Sequence, residues 1–151
     1  MATSFPHTYT VTLDGDDRHG VLQAMPRPDI VGGPPQQFGS SSQWWSPEEL
    51  LVGSAALCLQ ATFQFVARRE RLPYRRFMCR AEGTLDKTAS GLAFSAIRLV
   101  VSLDIDAELG ERAAAVLDVA KRQCIISNSL KTPVTVELAL AAPVSSTVNV
   151  A

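Results

Sequence analysis

Cysteine is the most reactive side chain this sequence offers, and three stand in its 151 residues: Cys58, Cys79 and Cys124. No two are spaced as a Cys-x-x-Cys pair, and the histidines, His7 and His19, have no companion ligand at metal spacing. No bound metal is expected. Three scattered cysteines do not build a disulfide scaffold either. In a reducing compartment such thiols are small buried hydrophobes or redox-active groups. Burial raises a thiol's pKa and quiets it, whereas reactivity needs a nearby cation that favours the thiolate. Arg18 is the candidate cation, with Arg27 as the alternative, and Glu48 is the candidate carboxylate to hold a guanidinium in a bidentate pair. Each also has an ordinary use, Glu48 as an acid at a helix N-terminus and Arg18 as a solvated hairpin charge.

The elements that must position these groups follow from the pattern. Thr8 to Leu13 alternates as a strand, Asp14 to Asp17 reads as a turn, and Arg18 to Met25 as the return arm of a hairpin. Residues 26–42, rich in Pro, Gly, Ser and Gln, read as a long functional or interface loop. A helix begins at Ser46-Pro47-Glu48-Glu49, where Ser46 and Glu49 form a capping box and Pro47 takes the first helical position. It is expected to run to about Arg71, before Pro73. Strands are predicted over Arg76 to Leu85 and Leu92 to Ile105, joined by a turn at Asp86 to Gly91. A second helix, capped by Asp106, is predicted from Ala107 through Cys124. A break at Ser127-Asn128-Ser129 then leads to a strand over Val134 to Leu140, and residues 143–151 read as a frayed tail. The order is that of one α+β domain over residues 1–151.

Composition narrows the class. With 46% apolar residues, 19% charged and a net charge of −1, the chain is neither disordered nor fibrous. Without a basic stripe, nucleic acid is not the expected partner. The first residues lack the charged and apolar regions of a signal peptide, which makes the cytoplasm the expected location. The run from Leu50 to Ala67 approaches membrane-spanning length, but Gly53, Ser54, Gln60, Thr62 and Gln64 dilute it. No membrane partner is expected. A helix apolar nearly all round is then one enclosed at the centre of an assembly.

Cys58 falls on a stripe with Leu51, Ala55 and Thr62, and Cys124 on one with Leu109, Ala113, Leu117 and Ala120. If the two helices cross, the thiols can meet although 66 positions separate them. The alternative is that both are ordinary core cysteines. Cys79, on the apolar side of a strand with Phe77 and Ala81, is assigned to the core. Glu48 stands ten residues before Cys58, about 15 Å along one helix, so a shared site requires a sharp bend or a second subunit. The cover that the apolar helix needs also points to an intertwined homodimer.

The segment Ser46-Pro47-Glu48-Glu49-Leu50-Leu51-Val52-Gly53-Ser54-Ala55-Ala56-Leu57-Cys58 resembles the hallmark of the OsmC/Ohr family, the osmotically inducible protein C and organic hydroperoxide resistance proteins. Cys124-Ile125-Ile126-Ser127-Asn128-Ser129-Leu130 is similar to the segment around that family's second cysteine, and Arg18-His19-Gly20 to its early Arg-x-Gly. The likeness extends over nearly the whole chain. Ile125 replaces the Pro of well-known peroxidase branches, and Ser-Pro-Glu replaces the Asn-Pro-Glu of the hydroperoxide resistance branch. The chain is thereby similar to the broad OsmC-like group, whose members are not all established peroxidases.

The resemblance implies antiparallel sheets wrapped around two helices, one of them long, buried and central, in an intertwined homodimer. It implies a thiol peroxidase. Cys58 attacks an organic hydroperoxide and becomes a sulfenic acid; Cys124 condenses with it to a disulfide. Arg18 and Glu48 polarise thiolate and peroxide. No cofactor stays bound, and a dihydrolipoyl-type dithiol, free or on a lipoylated protein, reduces the bridge. Trp44, Trp45, Phe63 and Phe65 are candidate walls of the substrate pocket, or equally core or interface aromatics. Two other readings remain at this stage: a non-enzymatic dimer that binds an apolar ligand or senses oxidants through the same cysteines, and a structural dimer with inert thiols.

Overall fold

The computed structural model of the chain describes residues 5–41 and 43–139. They fall into two compact units divided between Leu51 and Val52. The fold is mixed α+β, with one three-stranded sheet in each unit.

In the first unit, β1 (Thr12–Gly15), β2 (Gly20–Gln23) and β3 (Ile30–Gly32) form an antiparallel meander. The first hairpin sits two residues later than the alternation predicted. The Asp16 carboxylate accepts the backbone N–H groups of Arg18 and His19, so the turn closes at 16–19 and Gly15 pairs with Gly20. The stretch 26–42, expected as loop throughout, contains β3 and a single 3-10 turn at Gln36–Phe38. The β-branched pair Ile30-Val31 supplies the strand, and Trp45 extends its edge: Trp45 N–H donates to the Val31 carbonyl (3.2 Å) and Gly33 N–H to the Trp45 carbonyl (2.9 Å).

Helix α1 (Pro47–Arg69) begins at the expected capping box, with Glu49 N–H on Ser46 Oγ (3.1 Å) and Ser46 N–H on Glu49 Oε2 (2.9 Å). It ends in a Schellman motif. Leu72 N–H reaches the Ala67 carbonyl (2.9 Å), Arg71 N–H the Arg68 carbonyl (3.2 Å), and Arg71 takes φ +51°. Leu72 is thereby tucked into the core just before Pro73.

The second unit carries β4 (Arg76–Thr88), β5 (Gly91–Asp104) and β6 (Val134–Ala139), in that spatial order. The β4–β5 pair is antiparallel. The predicted turn narrows to Ala89-Ser90, since Asp86 to Thr88 pair with Gly91 to Ala93 and Gly91 supplies a φ of +112°. The sheet is mixed rather than antiparallel, because β6 runs parallel to β5. A helical crossover makes this possible: α2 (Gly110–Gln123) and a short α3 (Ile125–Ser129) where a break was expected. Asp106 does not cap α2. Its carboxylate pairs with Arg75 (2.7 Å), and a 3-10 turn over Ala107–Leu109 precedes the helix. Leu140 and the tail 143–151 lie outside the described residues.

The core lies between the helices and one face of this sheet. Ala55, Leu59, Phe63, Val66 and Ala67 of α1 meet Ile97, Leu99, Val101 and Leu103 of β5 and Ala113, Val116, Leu117 and Ala120 of α2. Helix α1 has the length and apolar composition of a membrane span, but in this chain it is enclosed on one side only. Leu57 is 66% exposed and Phe65 64%, because a single sheet covers a single face. At Gly83 the sheet, α1 and Phe94 come closest: a Cβ there would lie 2.6 Å from Val52 Cγ2 and 2.6 Å from Phe94 Cε1.

Two stability changes follow. Gly83→Ala forces a β-branched side chain and an aromatic ring aside and is expected to cost about 1–3 kcal/mol in urea unfolding, with partial recovery on adding Val52→Ala. Arg71→Gly relieves a left-handed non-glycine residue and is expected to add roughly 1 kcal/mol. An unchanged midpoint in either case would refute its packing or conformational assignment.

Candidate functional site

The thiol pair belongs to the second unit. Cys58 sits on α1 one residue before the enclosed Leu59, so its side chain points to the margin of the buried face and is only partly covered. Cys124 occupies the joint between α2 and α3, where a ψ of 106° interrupts the helix, and is 1% exposed. Both helices contribute to one core, and the two cysteines adjoin. Both cysteines are free thiols, and their side chains interact directly. Each sulfur also has a donor from α3: Ile126 N–H approaches Cys58 Sγ at 3.5 Å, and Ser127 Oγ donates to Cys124 Sγ at 3.1 Å.

The two sulfurs are not equivalent. Burial pushes the Cys124 thiol up; hydrogen bonds from Ser127 oppose that, and the adjoining Cys58 adds a further upward push. Cys124 is a protonated, enclosed thiol near neutral pH, whereas Cys58 has a path to solvent. Cys79 is half-buried against the core, and burial raises its pKa as well. The core assignment made for it fits.

Arg18 and Glu48 belong to the first unit. Arg18 stands in the β1–β2 turn and lines an open groove of about 600 Å³ with His19, Trp45, Pro47 and Leu50. The turn is built to a defined shape. Asp16 Oδ1 accepts Arg18 N–H (2.9 Å), His19 N–H (3.0 Å) and lies 3.1 Å from His19 Nδ1. The His19 ring stacks on Trp44 at 4.9 Å, and Trp44 lies over Gly33, where a Cβ would come within 2.8 Å of the indole. Glu48 leaves its buried Oε2 without a hydrogen-bond partner among the described residues. Arg27 turns back on its own loop, its backbone N–H and its guanidinium both donating to the Ala24 carbonyl.

The aromatic wall residues separate. Trp45 lines the groove and Trp44 buttresses the turn. Phe63 does not suit a wall role: it is fully enclosed, with Tyr74 and Phe77 rings each 5.2 Å away, because it shares the i, i+4 register of Leu59. Phe65, two positions on, faces outward. Among the described residues no three His, Cys, Asp or Glu side chains gather as a metal site. Ser127, Ile126 and Asp16 were missed by sequence reasoning. The signals for the first and last were present, a hydroxyl one helical turn after Cys124 and an Asp two residues before Arg18.

Chemically, this is a pair of neighbouring, unequally buried free thiols and, in the other unit, an arginine on a braced turn. The profile of the family described as OsmC-like protein matches residues 39–139. No curated protein matches the sequence. Among solved structures, an OsmC-like protein of unknown function from Vibrio cholerae superposes with a TM-score of 0.76 at 19% identity, covering 90% of this chain and 100% of that one. An organic hydroperoxide resistance protein from Legionella pneumophila gives 0.73 at 19% identity, covering 92% and 100%. The organic hydroperoxide resistance protein of Bacillus subtilis gives 0.67 at 23% identity, covering 88% and 98%. Identities this low carry the fold.

The braced turn has its own pH signature. Hydrogen bonds from His19 and Arg18 hold the Asp16 carboxyl at about 2, below its ordinary 3.8. Because the folded pKa is the lower one, these bonds are in place above pH 3.8 and are lost as pH falls towards 2. In an NMR titration the Arg18 and His19 amides should shift with a midpoint near 2, and a midpoint at 3.8 would contradict the turn geometry.

Proposed function

The chain belongs to the OsmC-like family, and on that premise we propose that it is a thiol-dependent peroxidase acting on organic hydroperoxides. The observation that carries this reading is the direct apposition of a partly accessible Cys58 and an enclosed Cys124. That some of its structural neighbours are named organic hydroperoxide resistance proteins supports it.

The Cys58 thiolate attacks one oxygen of the O–O bond. A sulfur–oxygen bond forms, the O–O bond breaks, and the alkoxide leaves as the alcohol after taking a proton. Cys58 is then a sulfenic acid. The Cys124 sulfur attacks it, forming the disulfide and releasing water. The difference in exposure supports this assignment of roles, because a peroxide meets Cys58 before it can meet Cys124. The Ile126 N–H is directed at the Cys58 sulfur from 3.5 Å. A dihydrolipoyl-type dithiol, free or on a lipoylated protein, returns the pair to thiols by exchange. Such dithiols stay reduced in the cytoplasm, where we place the reaction.

A homodimer completes this reading. The first unit leaves Leu13, Ile30 and Val31 exposed, and α1 turns Leu57 and Phe65 outward. A second copy would cover this apolar surface. The unpartnered Glu48 oxygen and the groove beside Arg18 support delivery of these two residues to the thiols of a second copy, where Arg18 stabilises thiolate and peroxide and Glu48 orients it.

Intact mass under non-reducing conditions tests the chemistry. One equivalent of cumene hydroperoxide should remove two mass units, mapped to Cys58–Cys124, and dihydrolipoamide should sustain peroxide consumption. Cys58→Ser should abolish turnover, whereas Cys124→Ser should leave a sulfenic acid on Cys58 that dimedone captures. Disulfide formation without turnover would favour an oxidant sensor, and untouched thiols would exclude both redox roles.

A further inference from the structure

The short helix α3 carries more polar chemistry than its length requires. Its backbone is held by Asn128 N–H on the Cys124 carbonyl (3.0 Å) and Leu130 N–H on the Ser127 carbonyl (3.3 Å). Two of its three polar side chains also serve the backbone, Asn128 Nδ2 donating to the Arg122 carbonyl (2.9 Å) and Ser129 Oγ to the Ile125 carbonyl (2.8 Å). Ser127 differs. Its hydroxyl, on a partly buried residue, donates at 3.1 Å to the sulfur of Cys124, a residue that is 1% exposed. The turn is therefore secured without that hydroxyl, whose hydrogen bond serves the sulfur.

We infer that Ser127 is a catalytic residue of the reductive half-reaction, donating to Cys124 as that sulfur leaves when an external dithiol opens the Cys58–Cys124 disulfide. The inference rests on the thiol-pair reading given above. Exposure sets the direction of attack, since a thiolate from solvent reaches the Cys58 sulfur and not the enclosed Cys124. The new sulfur–sulfur bond forms at Cys58, the Cys58–Cys124 bond breaks, and its electron pair passes to Cys124. A thiolate there is costly, because burial disfavours it and no solvent shell assists. The Ser127 O–H is already aimed at it, beside the backbone N–H of the same residue, which Ser127→Ala leaves in place. Cys124 then takes a proton from the second thiol of the dithiol. That thiolate attacks the mixed disulfide, closes a cyclic disulfide and releases Cys58. Two electrons move from the dithiol to the protein bridge, and the dithiol leaves oxidised.

The reaction with peroxide places its developing charge on the departing alkoxide, away from Ser127, so the two half-reactions respond differently to loss of the hydroxyl. The test compares the full-length wild type, Ser127→Ala and Ser127→Thr. The disulfide is formed with diamide, and its single-turnover reduction by dihydrolipoamide is followed beside the oxidation of the reduced proteins by cumene hydroperoxide. Ser127→Ala is expected to lower the ratio of reduction rate to oxidation rate about tenfold, the worth of one hydrogen bond to a charged sulfur. Ser127→Thr, which keeps the hydroxyl, should restore it. A limiting monothiol, trapped in acid and mapped by mass, should be found on Cys58. An unchanged ratio, equal losses in both half-reactions, or a monothiol adduct on Cys124 would overturn the inference. Failure of peroxide to oxidise the wild type would defeat the peroxidase reading alone, since the diamide-formed bridge still reports on Ser127. Failure of diamide to join the two cysteines would defeat both.

Discussion

The contact between the inner face of α1 and β5 is the constraint on which the rest of the second unit depends. Ala55, Leu59, Phe63 and Val66 are wholly enclosed against Ile97, Leu99 and Val101, and burial of this kind is the dominant favourable term in folding. Once those residues face the sheet, the helical rotation of about 100° per residue fixes every other position on α1. Cys58, adjacent to Leu59, must lie at the edge of the buried face, and Phe65 must look away from it. Gly83 marks how closely the sheet approaches α1 near Val52. The depth of the thiol is thus a consequence of core packing.

The second cysteine owes its position to an interruption. Helix α2 buries Ala113, Leu117 and Ala120 in regular spacing, and the same spacing brings Cys124 to the core. There the backbone turns extended and restarts as α3, which brings Ile126 and Ser127 to the sulfurs. One cysteine is therefore accessible and the other sealed, although both lie on apolar stripes of similar character. This asymmetry suits a division of labour between an attacking and a resolving thiol, as in the function proposed here.

The first unit is organised by polar local contacts more than by a core. Asp16 shapes the turn, His19 stacks on Trp44, and Gly33 lets the indole lie close to the backbone. Its three strands keep much of their apolar surface exposed. Small sheets of this kind are marginal alone, which is why a covering second copy belongs to the function proposed here.

Features dictated by neighbouring residues were legible in the sequence. The capping box at Ser46–Glu49, the stop before Pro73, the two helical stripes and the alternation of β4 and β5 each arise from contacts within a few positions, and the cysteine and glutamate spacing carried the family likeness. Less legible were features in which a local signal competes with a distant partner. Asp106 looks like a helix cap yet pairs with Arg75, 31 residues away; Phe63 and Phe65 look alike until the sheet selects one of them; β6 becomes parallel only because α2 and α3 carry the chain across. The sequence by itself determined which residues can do redox chemistry and which elements carry them, since residue type and periodicity are local properties. Tertiary structure decided that Cys58 and Cys124 meet, that one is sealed and the other only partly covered, and that a serine donates to the sealed one. Proximity, burial and hydrogen bonding between α1 and the α2–α3 joint depend on how distant segments pack, and no short-range pattern encodes that.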